Sequence, residues 1–112
     1  MQILTRLLAG YPDNAGLTYT VLAVTHSAAG RLEESEAMAR RAIAAAPDYS
    51  EAHRLLAHAL IYQGKELEAE HSLRTALELS PEDVSLFSLM ATALTRMGRT
   101  EEALLYAHEA VR

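Results

Sequence analysis

The chain has 112 residues, half of them apolar, and no cysteine. This length fits one domain, and the lack of thiols excludes disulfides, zinc–thiolate sites and cysteine nucleophiles. The formal net charge of −5 argues against nucleic acid as a partner, because phosphate binding needs a basic face. No apolar run approaches the roughly 20 residues of a membrane helix, so we expect no membrane insertion. The first ten residues do not resemble a signal peptide, and we expect a cytoplasmic protein, or a periplasmic one if a leader has been removed.

One short phrase occurs three times in the sequence, as "AGRLEES", "QGKELEA" and "MGRTEEA", each 34 residues after the one before. A fixed period of this length indicates stacked helical repeats. When the sequence is aligned at this period, several columns hold one chemical type. The columns are Gly30, Gly64 and Gly98; Ala23, Ala57 and Ala91; Ala42, Ala76 and Ala110; Leu22, Leu56 and Met90; the basic Arg31, Lys65 and Arg99; and the acidic Glu34, Glu68 and Glu102.

Each repeat is predicted to form two helices. In the middle repeat, residues 50–63 carry apolar side chains at the spacing of one helical face. Gly64 is expected to end this helix, because glycine adopts the left-handed conformation with little strain. A second apolar stripe runs from Leu67 to Leu79, and Pro81 lies just beyond it, where proline blocks continuation. Either Asp83 or Ser85 is expected to cap the next helix.

These columns resemble the tetratricopeptide repeat (TPR) pattern, and "LLAHALIYQGKELEAEHSLRTALELSP" fits it best. The resemblance implies an all-α fold, a right-handed α-solenoid of antiparallel helix pairs. In chain order we expect the trailing helix of a partial repeat (1–11), repeat 1 (16–49), repeat 2 (50–83) and a truncated repeat 3 (84–112). The first repeat departs from the pattern at His26, where the family usually has a large apolar or aromatic residue.

The resemblance also implies a function, because the first helices of such arrays line a concave groove that usually holds a peptide or a helix. We therefore predict a non-catalytic scaffold for protein–protein interaction. By resemblance, the groove residues include Thr20, Val24, Glu51, Arg54, His58, Ile61, Tyr62, Ser88, Thr92 and Arg96.

Arg54, His58 and Tyr62 follow one another at intervals of four residues, so they share one helical face. This cationic and partly aromatic stripe could hold a carboxylate or an acidic peptide, with Arg54 giving bidentate hydrogen bonds. The alternative is an ordinary solvated face.

One TPR subfamily binds the acidic C-terminal tails of heat-shock chaperones through a five-residue clamp rich in Lys, Asn and Arg. The matching positions here are Thr20, Val24, Leu55, Ser85 and Leu89. None of them fits, so that partner is not expected.

No catalytic or metal-binding pattern stands out in the sequence. His53 and His58 are five residues apart, which places them on different faces of a helix, and no HExxH motif is present. The glutamates near the helix starts are better explained as solvated faces. We predict no enzyme activity, no cofactor and no metal.

Two alternatives to a simple peptide-binding scaffold stay open. The segment could recruit substrate for a larger enzyme, since such repeats are often fused to transferase domains. It could also self-assemble, because Leu104, Leu105 and Val111 in the last helix offer apolar surface that a next repeat would normally cover. A homo-oligomer through uncapped terminal helices is therefore a second kind of partner.

Overall fold

The computed structural model describes residues 15–111, which form six helices and no strand. The helices are α1 (Ala15–Ala28), α2 (Leu32–Ala45), α3 (Ser50–Ile61), α4 (Glu66–Leu79), α5 (Val84–Arg96) and α6 (Thr100–Ala110). Consecutive helices pack as three pairs, α1–α2, α3–α4 and α5–α6, and the pairs stack in chain order. The predicted all-α solenoid is confirmed. The helix expected at residues 1–11 lies outside the described residues.

The first helix of every pair ends in the same way. Gly30, Gly64 and Gly98 have φ angles of 79°, 82° and 78°, the left-handed region that a side chain disfavours. The residue after each glycine donates its N–H to a carbonyl five residues back, for example Lys65 N to Leu60 O at 2.9 Å. This is a Schellman cap, which satisfies carbonyls that the helix end leaves free. The predicted role of the glycine column is confirmed.

The two helices of each pair approach closely because small residues lie between them. Ala57 in α3 and Ala69 in α4 are fully buried, and Ala103 in α6 is nearly so. In the first pair Ser35 takes this place, and its hydroxyl donates to the carbonyl of Ala23 at 2.8 Å. That bond satisfies a buried polar group which would otherwise cost free energy.

The second helices bury a narrower stripe than the sequence indicated. Leu73 and Ala76 of α4 are fully buried, but Leu67 is 72% exposed and Leu79 is 38% exposed. Both therefore lie at the margins of the apolar stripe, where the neighbouring helices do not cover them fully. Asp83 rather than Ser85 caps α5, because its carboxylate accepts the N–H of Ser85 at 3.0 Å.

Ion pairs join neighbouring repeats through the basic residues that follow Gly64 and Gly98. Lys65 contacts Glu36 of the preceding repeat at 3.3 Å, and Arg99 contacts Glu70 at 2.7 Å. Each glutamate also pairs with an arginine one turn along its own helix: Arg40 pairs with Glu36 at 2.9 Å, and Arg74 pairs with Glu70 at 2.6 Å. The basic column therefore links repeat to repeat.

Replacement of His26 by an apolar residue should stabilise the fold. Its repeat counterparts Leu60 and Leu94 are almost completely buried, whereas the buried Nδ1 of His26 has no hydrogen-bond partner. A buried nitrogen without a partner costs about 1–3 kcal/mol. We expect His26→Leu to raise the free energy of unfolding by about 1–2 kcal/mol in urea titrations. His26→Gln keeps a polar group at this position and should not raise the free energy of unfolding. Equal stabilities of the Leu and Gln variants would show that the unpaired nitrogen is not the cause.

The Glu70 ion pair should make stability depend on pH. The hydrogen bond from Arg99 holds the pKa of Glu70 below its ordinary value, although burial by itself would raise the pKa. A second hydrogen bond, from Arg74, lowers the pKa further. Because the folded-state pKa is lowered, the stabilisation is complete above the unfolded-state pKa and is lost as the pH falls through the folded-state value.

We expect Glu70→Gln to lower the free energy of unfolding near neutral pH by up to about 1 kcal/mol. The difference from the parent should shrink in melts between about pH 7 and pH 3. Glu78→Gln is the control, because Glu78 is exposed on the same helix. A difference that does not change with pH would rule out ionisation of Glu70 as the cause.

Candidate functional site

The first helices α1, α3 and α5 lie side by side, and their exposed faces form one continuous surface. On this surface Ser27, Arg54, His58, Tyr62 and Arg96 come together from all three repeats; we refer to these five residues as the groove cluster. The His58 and Tyr62 rings have centroids 4.9 Å apart. The Ser27 hydroxyl lies 3.4 Å from Nδ1 of His58. The stripe predicted within α3 is thus extended by a residue from each neighbouring repeat.

The Arg54 guanidinium already forms an ion pair within the chain. Its guanidinium makes a two-pronged contact with the carboxylate of Glu51, one prong being Nε to Oε2 at 3.0 Å. The bond to Glu51 holds the pKa of Arg54 above its ordinary value. The bidentate contact that we expected Arg54 to offer a ligand is therefore made within the chain. Sequence spacing contained the signal, because residues three apart on a helix can form an ion pair.

Arg96 is the cation that remains available in the groove cluster. Its guanidinium lies over the Tyr62 ring, 4.9 Å from the centroid, and it forms no ion pair with any residue between 15 and 111. Stacking on an aromatic face orients a guanidinium while leaving its N–H groups free to donate. A carboxylate is the ligand that this planar fork matches best.

The surroundings of His58 favour the uncharged form of its ring. Burial lowers the pKa of His58, and the nearby positive charge of Arg54 lowers it further. The neutral ring can both donate and accept a hydrogen bond. In its neutral form the ring would add hydrogen-bonding groups to the groove cluster without adding charge.

The other predicted groove residues differ in their accessibility. Val24 and Ser88 are exposed and Thr92 is half-buried, with its hydroxyl donating to the carbonyl of Ser88 at 3.0 Å. Thr20 is buried and donates to the carbonyl of Gly16 at 2.8 Å. Ile61 is fully buried in the core. The side chains of Thr20 and Ile61 therefore support the groove from beneath.

The described residues contain neither a metal site nor a membrane-spanning helix. In the part of the chain that the structure describes, no three His, Asp or Glu side chains are grouped so that they could hold a metal ion. None of the described helices is long and apolar enough to span a bilayer.

The fold and its inner surface define a helical-repeat protein of the α-solenoid class. Two models described as "Tetratricopeptide repeat" match the chain, over residues 1–59 and 50–83. The chain belongs to the tetratricopeptide repeat family. No curated protein matches it.

Solved structures give the same result for the fold. MamA AMB-1 is 30% identical, with a TM-score of 0.83 over 97% of this chain and 64% of that chain. A MamA point mutant is also 30% identical, with a TM-score of 0.79 over 97% of this chain and 79% of that chain. The second TPR of Spaghetti (RPAP3), bound to the HSP90 peptide SRMEEVD, is 21% identical, with a TM-score of 0.85 over 92% of this chain and 95% of that chain. The chain spans 62% to 64% of the length of three of the MamA structures.

Proposed function

We propose that the chain is a protein-interaction scaffold that binds an extended peptide along α1, α3 and α5, and that Arg96 receives a carboxylate of the peptide. The observation that carries the proposal is the unpaired Arg96 guanidinium held over Tyr62. A cation that is already oriented loses little conformational freedom on binding, which favours affinity. His58 and Ser27 extend the polar surface toward the first repeat.

Peptide binding in a structural neighbour supports this general role. The second TPR of Spaghetti is bound to a peptide that ends in Glu-Glu-Val-Asp. The clamp positions of chaperone-binding repeats are occupied here by residues that cannot form such a clamp. Among them Leu55 and Thr20 are buried. We therefore propose an acidic peptide of another sequence, held at a different point of the groove.

The alternative role, recruitment of substrate for a larger enzyme, would use the same groove. In that role the chain would remain non-catalytic and would bind a peptide segment of the substrate. Experiments on Arg96 therefore test peptide binding in both roles.

The test compares two arginines that both stack on tyrosine. Arg96 lies over Tyr62 in the groove, whereas Arg41 lies over Tyr19 at 5.9 Å and belongs to the second helix α2. A charge-assisted hydrogen bond contributes about 1.5–3 kcal/mol. We expect Arg96→Ala to weaken binding of an acidic peptide by roughly 10- to 100-fold in titrations, and Arg41→Ala to leave it unchanged. If the Arg96→Ala variant and the parent bind every acidic peptide with equal affinity, Arg96 is not part of the binding site.

Self-association is a second candidate, favoured by exposed apolar side chains on α6 and at Val111 directly after it. Leu104 is 50% exposed, Leu105 is 69% exposed and Val111 is 83% exposed. The corresponding positions of the second repeat are Glu70, His71 and Leu77, so this face is more apolar at two of three places. A second copy that covered these side chains would gain burial. We propose that the same face supports a homo-oligomer.

Light scattering of the 112-residue chain over a wide concentration range tests this second candidate. We expect the average mass to rise with concentration, and Leu105→Glu to keep the chain monomeric because it places a charge in the apolar face. Leu67→Glu is the matched control, since Leu67 is equally exposed on α4 and glutamate stands at its counterparts Glu33 and Glu101. A constant monomer mass for the parent chain would exclude association through α6.

A further inference from the structure

His58 is the residue of the groove cluster whose side chain ordinarily changes its charge between about pH 5 and pH 8. Its ring lies between the Ser27 hydroxyl, 3.4 Å from Nδ1, and the Tyr62 ring, whose centroid is 4.9 Å away. The Arg96 guanidinium is also 4.9 Å from the Tyr62 centroid, so it is at most twice that distance from the His58 ring. Charges this close interact at physiological salt, where the screening length is about 8–10 Å.

One ring nitrogen of His58 is available to a ligand. Nδ1 lies beside Ser27, whereas Nε2 forms no hydrogen bond with any residue between 15 and 111. In that range the buried side-chain polar atom without a partner is Nδ1 of His26, so Nε2 of the half-buried His58 reaches solvent. A protonated imidazole donates from both nitrogens and carries a positive charge, which strengthens a hydrogen bond to a carboxylate.

The unpaired positive charge of the groove cluster depends on this ring, because both arginines keep their charge at all ordinary pH values. Arg54 is paired with Glu51 on the same helix, and Asp83 at the start of α5 also interacts with Arg54, whose pKa is raised chiefly by Glu51. Arg96 has no such partner among residues 15–111. Protonation of His58 would therefore add a second unpaired cation to the one that Arg96 supplies.

The helices packed against α3 offer no carboxylate that pairs with His58. Within the described part of the chain, no ion pair includes this ring. Helix α1 contains no Asp, Glu, Lys or Arg, and its titratable side chains are Tyr19 and His26. The half-buried Glu36 of α2 and the buried Glu70 of α4 each pair with two cations. A charge on His58 therefore lacks a counter-charge until a ligand supplies one.

We propose that His58 makes peptide binding in the groove depend on pH, so that an acidic peptide binds more tightly when the imidazole is protonated. This inference rests on the proposed function, because it needs a carboxylate ligand close to Arg96. In the free chain burial lowers the pKa of His58, and the charge of Arg54 lowers it further. A bound carboxylate acts in the opposite direction. Since the pKa is then higher in the complex, binding takes up a proton, and the affinity rises as the pH falls through the two values.

The first experiment follows the His58 ring by NMR in the parent chain as the pH is varied, with and without saturating N-acetyl-hexaaspartate amide. Every residue of this probe is acidic, so the result does not depend on how the peptide is aligned in the groove, and aspartate stays ionised above about pH 5. We expect the bound peptide to raise the pKa of His58. The measurement needs no substitution, and an unchanged pKa in the complex would overturn the proposal.

The second experiment compares the affinity of the same peptide at two pH values. We expect the parent chain to bind roughly 3- to 10-fold more tightly at about pH 5.5 than at about pH 7.5. His58→Gln should lose most of this increase because glutamine cannot be protonated. His71→Gln is the matched control, since His71 is exposed on the second helix α4, and it should keep the full increase. A His58→Gln variant with the same pH dependence as the parent would contradict the proposal.

Arg96→Ala, measured at about pH 7.5, separates this inference from the proposed function. If this variant binds the peptide weakly while the affinity of the parent does not change with pH, the groove is the binding site and regulation by His58 is wrong. If the parent binds hexaaspartate at neither pH, both proposals fail. If binding changes with pH through His58 but does not depend on Arg96, the regulation stands and the role of Arg96 is wrong.

Discussion

The close contact between the two helices of each repeat is the constraint on which the remaining architecture depends. Helices can approach this closely only where small residues face each other, and Ala57 and Ala69 are completely buried at that contact. Ser35 shows how little room there is, because its hydroxyl bonds directly to the backbone carbonyl of Ala23 across the helix pair. A larger side chain would push the pair apart and alter the stacking of every later repeat.

This contact leaves the array with two distinct faces. The first helices form one row whose exposed residues come from every repeat, so this surface is assembled from all three. The second helices lie further apart, and open depressions between them are lined by residues such as Ser72 and Tyr106. The residue types that recur in the columns build the scaffold, whereas the exposed residues outside the columns differ from repeat to repeat.

Periodicity in the sequence was sufficient to predict the helix pairs and the glycine caps, because both depend on local backbone preference and on spacing. It does not predict which part of a helix is covered by its neighbours: Leu67 belongs to the apolar stripe by its spacing, yet it is largely exposed. It also identified Arg54 as a ligand-binding residue without recognising that Glu51 would engage it. The stacking of Arg96 on Tyr62 joins residues 34 positions apart, and such a contact can be inferred only when the packing of adjacent repeats is known.

The ion pairs between repeats have a consequence for cooperativity. In a linear array each repeat is stabilised mainly by its neighbours, and the strength of those contacts decides whether the repeats unfold together. Glu36 and Glu70 each hold one cation from their own helix and one from the next repeat, so loss of one repeat leaves the adjacent carboxylate with half of its cationic partners. Leu104 stands at the corresponding position of the third repeat. The carboxylate that couples neighbouring repeats is therefore replaced by an apolar side chain there, and a neighbour packed against α6 would meet a leucine at this position.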